Sequence, residues 1–150
     1  MKTTLFVLLI IALIVGCGKQ SEQKYEKVIL EFRFVETESA YGLQKFSIRK
    51  GDQIFFVHKE VLADNSDIAD ASVQKVNDDY GILVEFTEKG KYKWAQITEN
   101  NIGKRIGILL NNELITAPII RAKIEQGLAI ITGGFNEEGA VKIAEGIKIK

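Results

Sequence analysis

The chain is poor in the residue types that staple a fold, bind metals or cross a bilayer. One cysteine, one proline, one histidine, one tryptophan and one methionine occur in 150 residues. A single cysteine excludes an intramolecular disulfide and a cysteine-based zinc site. His58 has no second histidine with which to build a usual zinc site, and it reads as a strand-end surface residue. Neither sign of charge is in excess. Basic and acidic side chains number 20 each, and taking Lys2 away with residues 1–16 leaves 19 basic ones. That excludes the Lys/Arg surplus a nucleic-acid partner needs to displace counterions, and it provides no polybasic patch for anionic lipid. No apolar run reaches the roughly 20 residues that span a bilayer; the longest, Leu5 to Val15, has eleven.

That run defines the leader. Met1-Lys2-Thr3-Thr4 is a short positive start, the apolar run follows, and Gly16-Cys17-Gly18 leads into the polar stretch Lys19–Lys24. These are the proportions of a secretory signal. Leu13-Ile14-Val15-Gly16-Cys17 resembles the bacterial lipobox, with an aliphatic residue three before the cysteine and a small one directly before it. The resemblance implies a diacylglyceryl group on the Cys17 thiol, cleavage before Cys17, and a membrane anchor of two or more acyl chains at roughly 0.8 kcal/mol per buried CH₂. The alternatives are an ordinary cleaved signal or an uncleaved anchor. Gly18 provides no inner-membrane retention signal of the Asp type, so either membrane of the envelope fits. The expected organisation is a lipoprotein signal peptide over 1–16, a lipidated cysteine and polar tether over 17–26, and one folded domain over 27–150.

In the folded part, Val28, Leu30, Phe32 and Phe34 alternate with Ile29, Glu31, Arg33 and Val35, which predicts a strand with one buried face. Phe46–Ile48 and Ile54–Val57 are strand candidates around a Gly51-Asp52 turn. Asp64–Asp67 provides caps for a short helical turn at Ile68–Ser72. Val73–Asn77 and Ile82–Phe86 read as strands joined by a turn at Asp78–Gly81. Thr87 caps a helix over Glu88–Asn100. Ile106–Leu110 and Glu113–Ile120 flank Asn111-Asn112, a tight-hairpin signal because Asn tolerates positive φ. Leu128–Ile131 is a short apolar strand. Asn136 caps a helix over Glu137–Ile147, whose Ala140, Ile143, Ala144 and Ile147 form a core-facing stripe. Phe86–Ala95 and Phe135–Ala144 share Phe, Glu, Gly, Lys and Ala at matching positions. A true repeat and two like strand-to-helix corners explain this equally well. Either implies two helices entering alike from a sheet, as in an α+β sandwich.

Little here points to catalysis or metal binding. Asp64, Asn65, Asp67 and Asp70 fail as an EF-hand loop, with Ala69 at its sixth position and Lys75 at its twelfth. Caps and loop solvation account for them. Thr132-Gly133-Gly134 precedes a helix start, but Glu137 and Glu138 would repel a phosphate there, and a glycine-allowed turn is the simpler reading. No Gly-x-Ser-x-Gly elbow frames a serine. Trp94 is expected in or at the edge of the core, and Pro118 marks an edge strand or bulge. The expectation is no enzyme, no metal and no cofactor beyond a covalent lipid on Cys17.

Residues 82–147 resemble a known family. The pattern runs through Phe86, Thr87, Gly90, Ala95, Thr98, Asn101, Gly103 and Lys104. It continues with Thr116, Ala117, Pro118, Ile120, Ile124, Gly127, Ile131, Gly133 and Phe135. It is similar to the head subdomain of the large first periplasmic loop of SecD and SecDF, accessory membrane subunits of the bacterial Sec translocase. Val61-Leu62 and Asp67–Ala71 are similar to the segment preceding that head. The sequence departs from the family at Asn111-Asn112, where Asp-Gly is usual, and at Lys91, where a small residue is usual. The resemblance implies an α+β fold with a mixed, largely antiparallel sheet and two main helices packed on it. The family's spans and intramembrane carboxylates are missing before Lys150, so the chain is not expected to run a proton-driven cycle alone.

The resemblance implies a binding module outside the cytoplasm that contacts exported polypeptides or Sec translocase subunits. A strand edge near Pro118 would suit an extended peptide. The alternatives are a structural or scaffold envelope lipoprotein unrelated to secretion, and a hydrolase, which would require a polar concave pocket with converging ionisable groups. The oligomeric state is left open.

Overall fold

The computed structural model describes residues 24–150. Cys17, the leader and tether residues 17–23 lie outside them. The chain builds two antiparallel sheets. The first has the order β2 (Gln44–Ser47), β3 (Ile54–Val57), β1 (Leu30–Glu36), β7 (Arg105–Leu110), β8 (Glu113–Thr116), with the short β4 (Ala63–Asp64) also paired to β1. The second has the order β5 (Ile68–Val76), β6 (Asp79–Phe86), β9 (Leu128–Phe135). Helix α1 (Glu88–Asn100) follows β6 and helix α2 (Glu137–Lys148) follows β9. The α+β class expected from the sequence is the fold observed, with all strand pairings antiparallel.

The alternation in β1 explains how the sheets stack. Leu30 and Phe32 face a large cluster that also takes Ile106, Ile108 and Leu110 from β7, Ile82, Val84 and Phe86 from β6, and Ala140, Ala144 and Ile147 from α2. Val35, expected on the solvent side, is buried in a second cluster with Phe55, Val57, Leu109 and Leu114. The first sheet curls around that second cluster, and Arg49 N, just past β2, donates to Leu114 O of β8 at 2.9 Å. Gly107 lies where a Cβ would strike Val35 and Leu114.

Both helices start as the sequence predicts. Thr87 Oγ1 accepts from Gly90 N at 3.0 Å and Asn136 Oδ1 accepts from Gly139 N at 2.8 Å. Glu88, and Glu137 with Glu138, occupy the positive first turns. Because β6 and β9 are antiparallel neighbours, the two like corners leave from opposite ends of one sheet. The Asn111-Asn112 turn has φ of 48° and 64°, the paired left-handed residues of a tight hairpin.

Four expected boundaries differ. Ile68–Ser72 is strand, not a helical turn; a bulge between Ile68 and Asp70 breaks the period-two signal. The single helical turn is Asn65–Asp67, closed by a capping box between Asp64 and Asp67. The β5–β6 hairpin turns at Asn77-Asp78, leaving Tyr80 and Gly81 inside β6, where Gly81 admits Ile130 and Val76 side by side. Gly133 and Gly134 lie within β9 rather than in a turn before α2, in a bulge opposite Tyr80–Ile82. Finally, β8 stops at Thr116. The chain then continues as an irregular segment bridged to Arg105 at Ile119.

Candidate functional site

The site is a groove of about 510 Å³ between the segment after β8 and the start of β9, closed at its back by α1. Phe32, Trp94, Ile106 and Ile108 form its floor, and Ile119 and Leu128 line its mouth. Ile119 is 37% exposed, Leu128 40% and Ile130 44%. A concave, mostly apolar lining is the usual character of a binding pocket.

The floor is rigid for a clear reason. Trp94 stacks on Phe86 with ring centres 5.0 Å apart and tilts against Phe32 at 4.8 Å. Thr98, fully buried one turn further along α1, donates from Oγ1 to Trp94 O at 2.9 Å and accepts from Ile124 N at 2.9 Å. That second bond ties the 121–124 segment, one wall of the groove, to the helix. The indole N–H of Trp94 is buried and has no hydrogen-bond partner among the described residues. A buried donor in this state costs free energy until an acceptor reaches it.

Of the sequence-predicted residues Pro118 lines the groove, and the others shape the elements around it or lie elsewhere in the fold. Phe86 ends β6 in the aromatic stack, and its N donates to Gly127 O at 2.9 Å, starting β9 in register. Thr87 caps α1, and Gly90 lets the helix approach so closely that a Cβ would collide with the Asp67 carbonyl. Asn101 caps the other end through Nδ2 to Ile97 O at 2.9 Å, and its Oδ1 accepts from Lys104 Nζ at 2.8 Å. Gly103, at φ 90°, turns the chain so that its N reaches Ile120 O at 2.8 Å. Ala117 is buried in the second cluster, and its carbonyl accepts from Arg105 Nη1 at 2.8 Å. Pro118 lines the groove, and its carbonyl accepts from Ile106 N at 3.0 Å. Gly133 admits Ile115 against β9, and Phe135 closes β9 beneath the Arg49 guanidinium, 5.0 Å from its ring centre. The open mouth of the groove was missed. Its signal was present in Leu128-Ala129-Ile130-Ile131, where both parities of a strand are apolar.

The acidic cluster is structural. Asp64 caps the Asn65–Asp67 turn, and the Ser66 hydroxyl and amide hold its carboxyl below the ordinary aspartate range. Asp67 pairs with Lys93 at 2.8 Å. Among the described residues no group of three His, Cys, Asp or Glu side chains converges as a metal site. His58 Nε2 meets Glu36 Oε1 at 3.2 Å beside an open hollow that Ser39 also lines. No hydrogen bond among the described residues joins Ser39 to His58, so the hollow lacks the nucleophile–base contact of a triad. No helix of the described residues is long and apolar enough to cross a membrane.

Comparison with known proteins agrees with this geometry. The family described as "SecDF, P1 head subdomain" matches residues 38–148. A Protein translocase subunit SecD of Endomicrobium trichonymphae is 33% identical over 132 residues, covering 80% of this chain and 28% of that protein. A Protein translocase subunit SecDF of Thermus thermophilus is 40% identical over 86 residues, covering 55% of this chain and 11% of that one. A solved structure described as "Structure and function of a membrane component SecDF that enhances protein export" superposes with a TM-score of 0.66 at 26% identity, covering 82% of this chain and 63% of that one. The chain thus spans under a third of the curated relatives it matches. With the family model matching residues 38–148, well over half of its length, the chain belongs to the SecDF P1 head subdomain family.

Proposed function

We propose that this chain is a lipid-anchored, extracytoplasmic, non-enzymatic protein-binding module of protein export, and that its groove takes segments of exported polypeptides. The observation that carries the reading is the groove: an apolar floor fixed by Trp94, with Ile119 and Leu128 exposed at its mouth. Burying aliphatic and aromatic surface there yields roughly 25 cal/mol per Å² before the costs of ordering the ligand. A chain emerging unfolded offers such surface; a folded protein has buried it. The relatives' names, translocase subunits, agree with the setting. The role assigned is binding, with the lipid on Cys17 keeping the head at the membrane, and not the proton-driven cycle of a whole translocase subunit.

The test is photo-crosslinking in cells, with probes at positions 119 and 128, a control probe at exposed Lys45, and a Cys17→Ala variant. Pulse-labelled exported chains should be captured at 119 and 128, not at 45, and capture should fall in the variant. Palmitate labelling should require Cys17. Capture of Sec subunits alone would reassign the groove to translocase docking. Capture of one unrelated envelope protein alone would favour a scaffold lipoprotein.

A further inference from the structure

Strand β9 is paired on one side only, and its register shows which groups are free. Phe86 N donates to Gly127 O, and the ladder continues through Glu85–Leu128, Val84–Ala129, Leu83–Ile130 and Ile82–Ile131. In an antiparallel ladder, pairs that exchange hydrogen bonds alternate with pairs that do not. Gly127, Ala129 and Ile131 therefore bond to β6. The N–H and C=O of Leu128 and Ile130 point the other way, and no backbone group among the described residues pairs with them. Across the groove, Ile120 bonds through both its N and its O to Lys104 and Gly103, which turns the backbone of Ile119 away from β7. The groove thus offers alternating backbone donors and acceptors on one wall, aliphatic side chains at its mouth, and the nearly buried Trp94 on its floor.

One ligand chemistry supplies the complement. An acyl chain brings no donors or acceptors for Leu128 and Ile130. A helix has already used its backbone groups internally. An extended polypeptide presents an N–H and a C=O on one edge at every second residue, with apolar side chains between. We propose that an extended polypeptide segment adds antiparallel to the free edge of β9, bonding to the backbone of Leu128 and Ile130. This rests on the proposed function above and specifies how its site selects a ligand. Antiparallel is the sense of each strand pairing among the described residues and the more stable one per residue. Hydrogen-bonded partners project to the same face of a sheet. Leu128 and Ile130 project away from the core, so the ligand residues bonded to them project outward and the residues between them enter the groove. The selected segment has apolar residues at alternate positions and is indifferent to the rest.

The test uses the full chain in phosphatidylcholine nanodiscs and a fluorescent seven-residue peptide alternating valine and threonine. Two N-methylated forms are compared, one methylated at the threonines and one at the central valines. Methylation at threonine should weaken binding roughly tenfold or more, because at least two backbone bonds are lost. Methylation at valine should change it little. Ile130→Pro, whose missing N–H is not part of the β6 ladder, should abolish binding where Ile130→Ala does not. If Ile130→Pro fails to fold, the methylated peptides decide alone. Equal tolerance of both methylated forms, or loss confined to the valine form, would overturn strand addition and leave the groove reading standing. Failure of the parent peptide to bind at millimolar concentration would overturn both.

Discussion

Asn65→Ala should be among the most damaging substitutions outside the apolar core. The Asn65 side chain holds three backbone groups at once. Its Oδ1 accepts from Leu30 N at 2.8 Å, and its Nδ2 donates to Val28 O at 2.8 Å and Ile147 O at 3.0 Å. These bonds join the start of β1 to the end of α2, two elements remote in sequence, around the fully buried Leu30. Truncation removes all three and strands groups that water cannot easily reach. At about 1 kcal/mol net for each bond the loss is about 3 kcal/mol, a fall in Tm of roughly 10 °C for a domain of this size. Urea unfolding followed by fluorescence of Trp94, the single tryptophan, reads the loss directly. Asn65→Asp is the sharper control. It keeps the acceptor for Leu30 but turns an oxygen toward two carbonyls, so at neutral pH it should cost at least as much as alanine. A loss of less than about 1 kcal/mol for Asn65→Ala, or an aspartate variant as stable as wild type, would refute this account of how the N-terminal strand is fastened.

Three further outcomes are expected. Gly90→Ala should destabilise by about 1–3 kcal/mol in urea unfolding although alanine favours helix, because its Cβ meets the Asp67 carbonyl, a backbone atom that cannot swing aside. Asn112→Gly should be neutral or slightly stabilising in thermal unfolding, whereas Asn112→Ala should lose about 1 kcal/mol, because φ there is 64°. Asp64 is held below its ordinary range by the Ser66 hydroxyl and then the Ser66 amide, so its charged form contributes stability above the unfolded aspartate value of about 3.9. That contribution is lost as pH falls through the lower folded value. The stability gap between wild type and Asp64→Asn should therefore hold steady above about pH 5 and narrow below about pH 4.

Local chemistry made much of this fold legible in the sequence, and tertiary chemistry hid the rest. Helix starts could be read because a cap acts on the next three residues: Thr87 and Asn136 identify α1 and α2 without any distant contact. The Asn111-Asn112 hairpin could be read because its φ requirement is local. Val35 could not be placed, since a strand with one buried face was expected and the curl of the first sheet gives β1 two. Gly81, Gly133 and Gly134 read as turn residues, yet they lie within strands, where Ile130, Ile115 and Lys50 come close. Asn65 read as one of several loop-solvating polar residues. Its role depends on Leu30 and Ile147, which no spacing rule connects to it. The motif residue Pro118 lines the groove, and Gly127 directly precedes Leu128 at its mouth. The groove between them is a property of two sheets diverging, which the sequence of neither one records.

The strand edges, compared with one another, show why this groove is not a packing accident. Exposed edges invite pairing with other chains, and proteins blunt them with charge, proline or cover. The edge strand β2 exposes Gln44, Lys45 and Ser47, and β5 exposes Asp70, Ser72, Gln74 and Lys75. The β8 edge is covered where Arg49 N bonds to Leu114 O. β9 has none of these defences over Leu128-Ala129-Ile130-Ile131: four apolar residues in a row, two of them exposed, beside unbonded backbone. Lys50 Nζ donates to Gly134 O at 2.6 Å at the far end of the strand, away from the groove, and Lys91 lies against Gly127 just before it. A sequence that protects its other edges and leaves this one apolar carries an aggregation hazard with no return in the stability of the head. Replacing Leu128 and Ile130 with threonine would keep the strand propensity and blunt the edge, so the double variant should fold as well as wild type and resist aggregation better. Because threonine keeps the backbone N–H and C=O at both positions, exported chains should still cross-link through position 119, weakened only by the apolar area lost at the mouth.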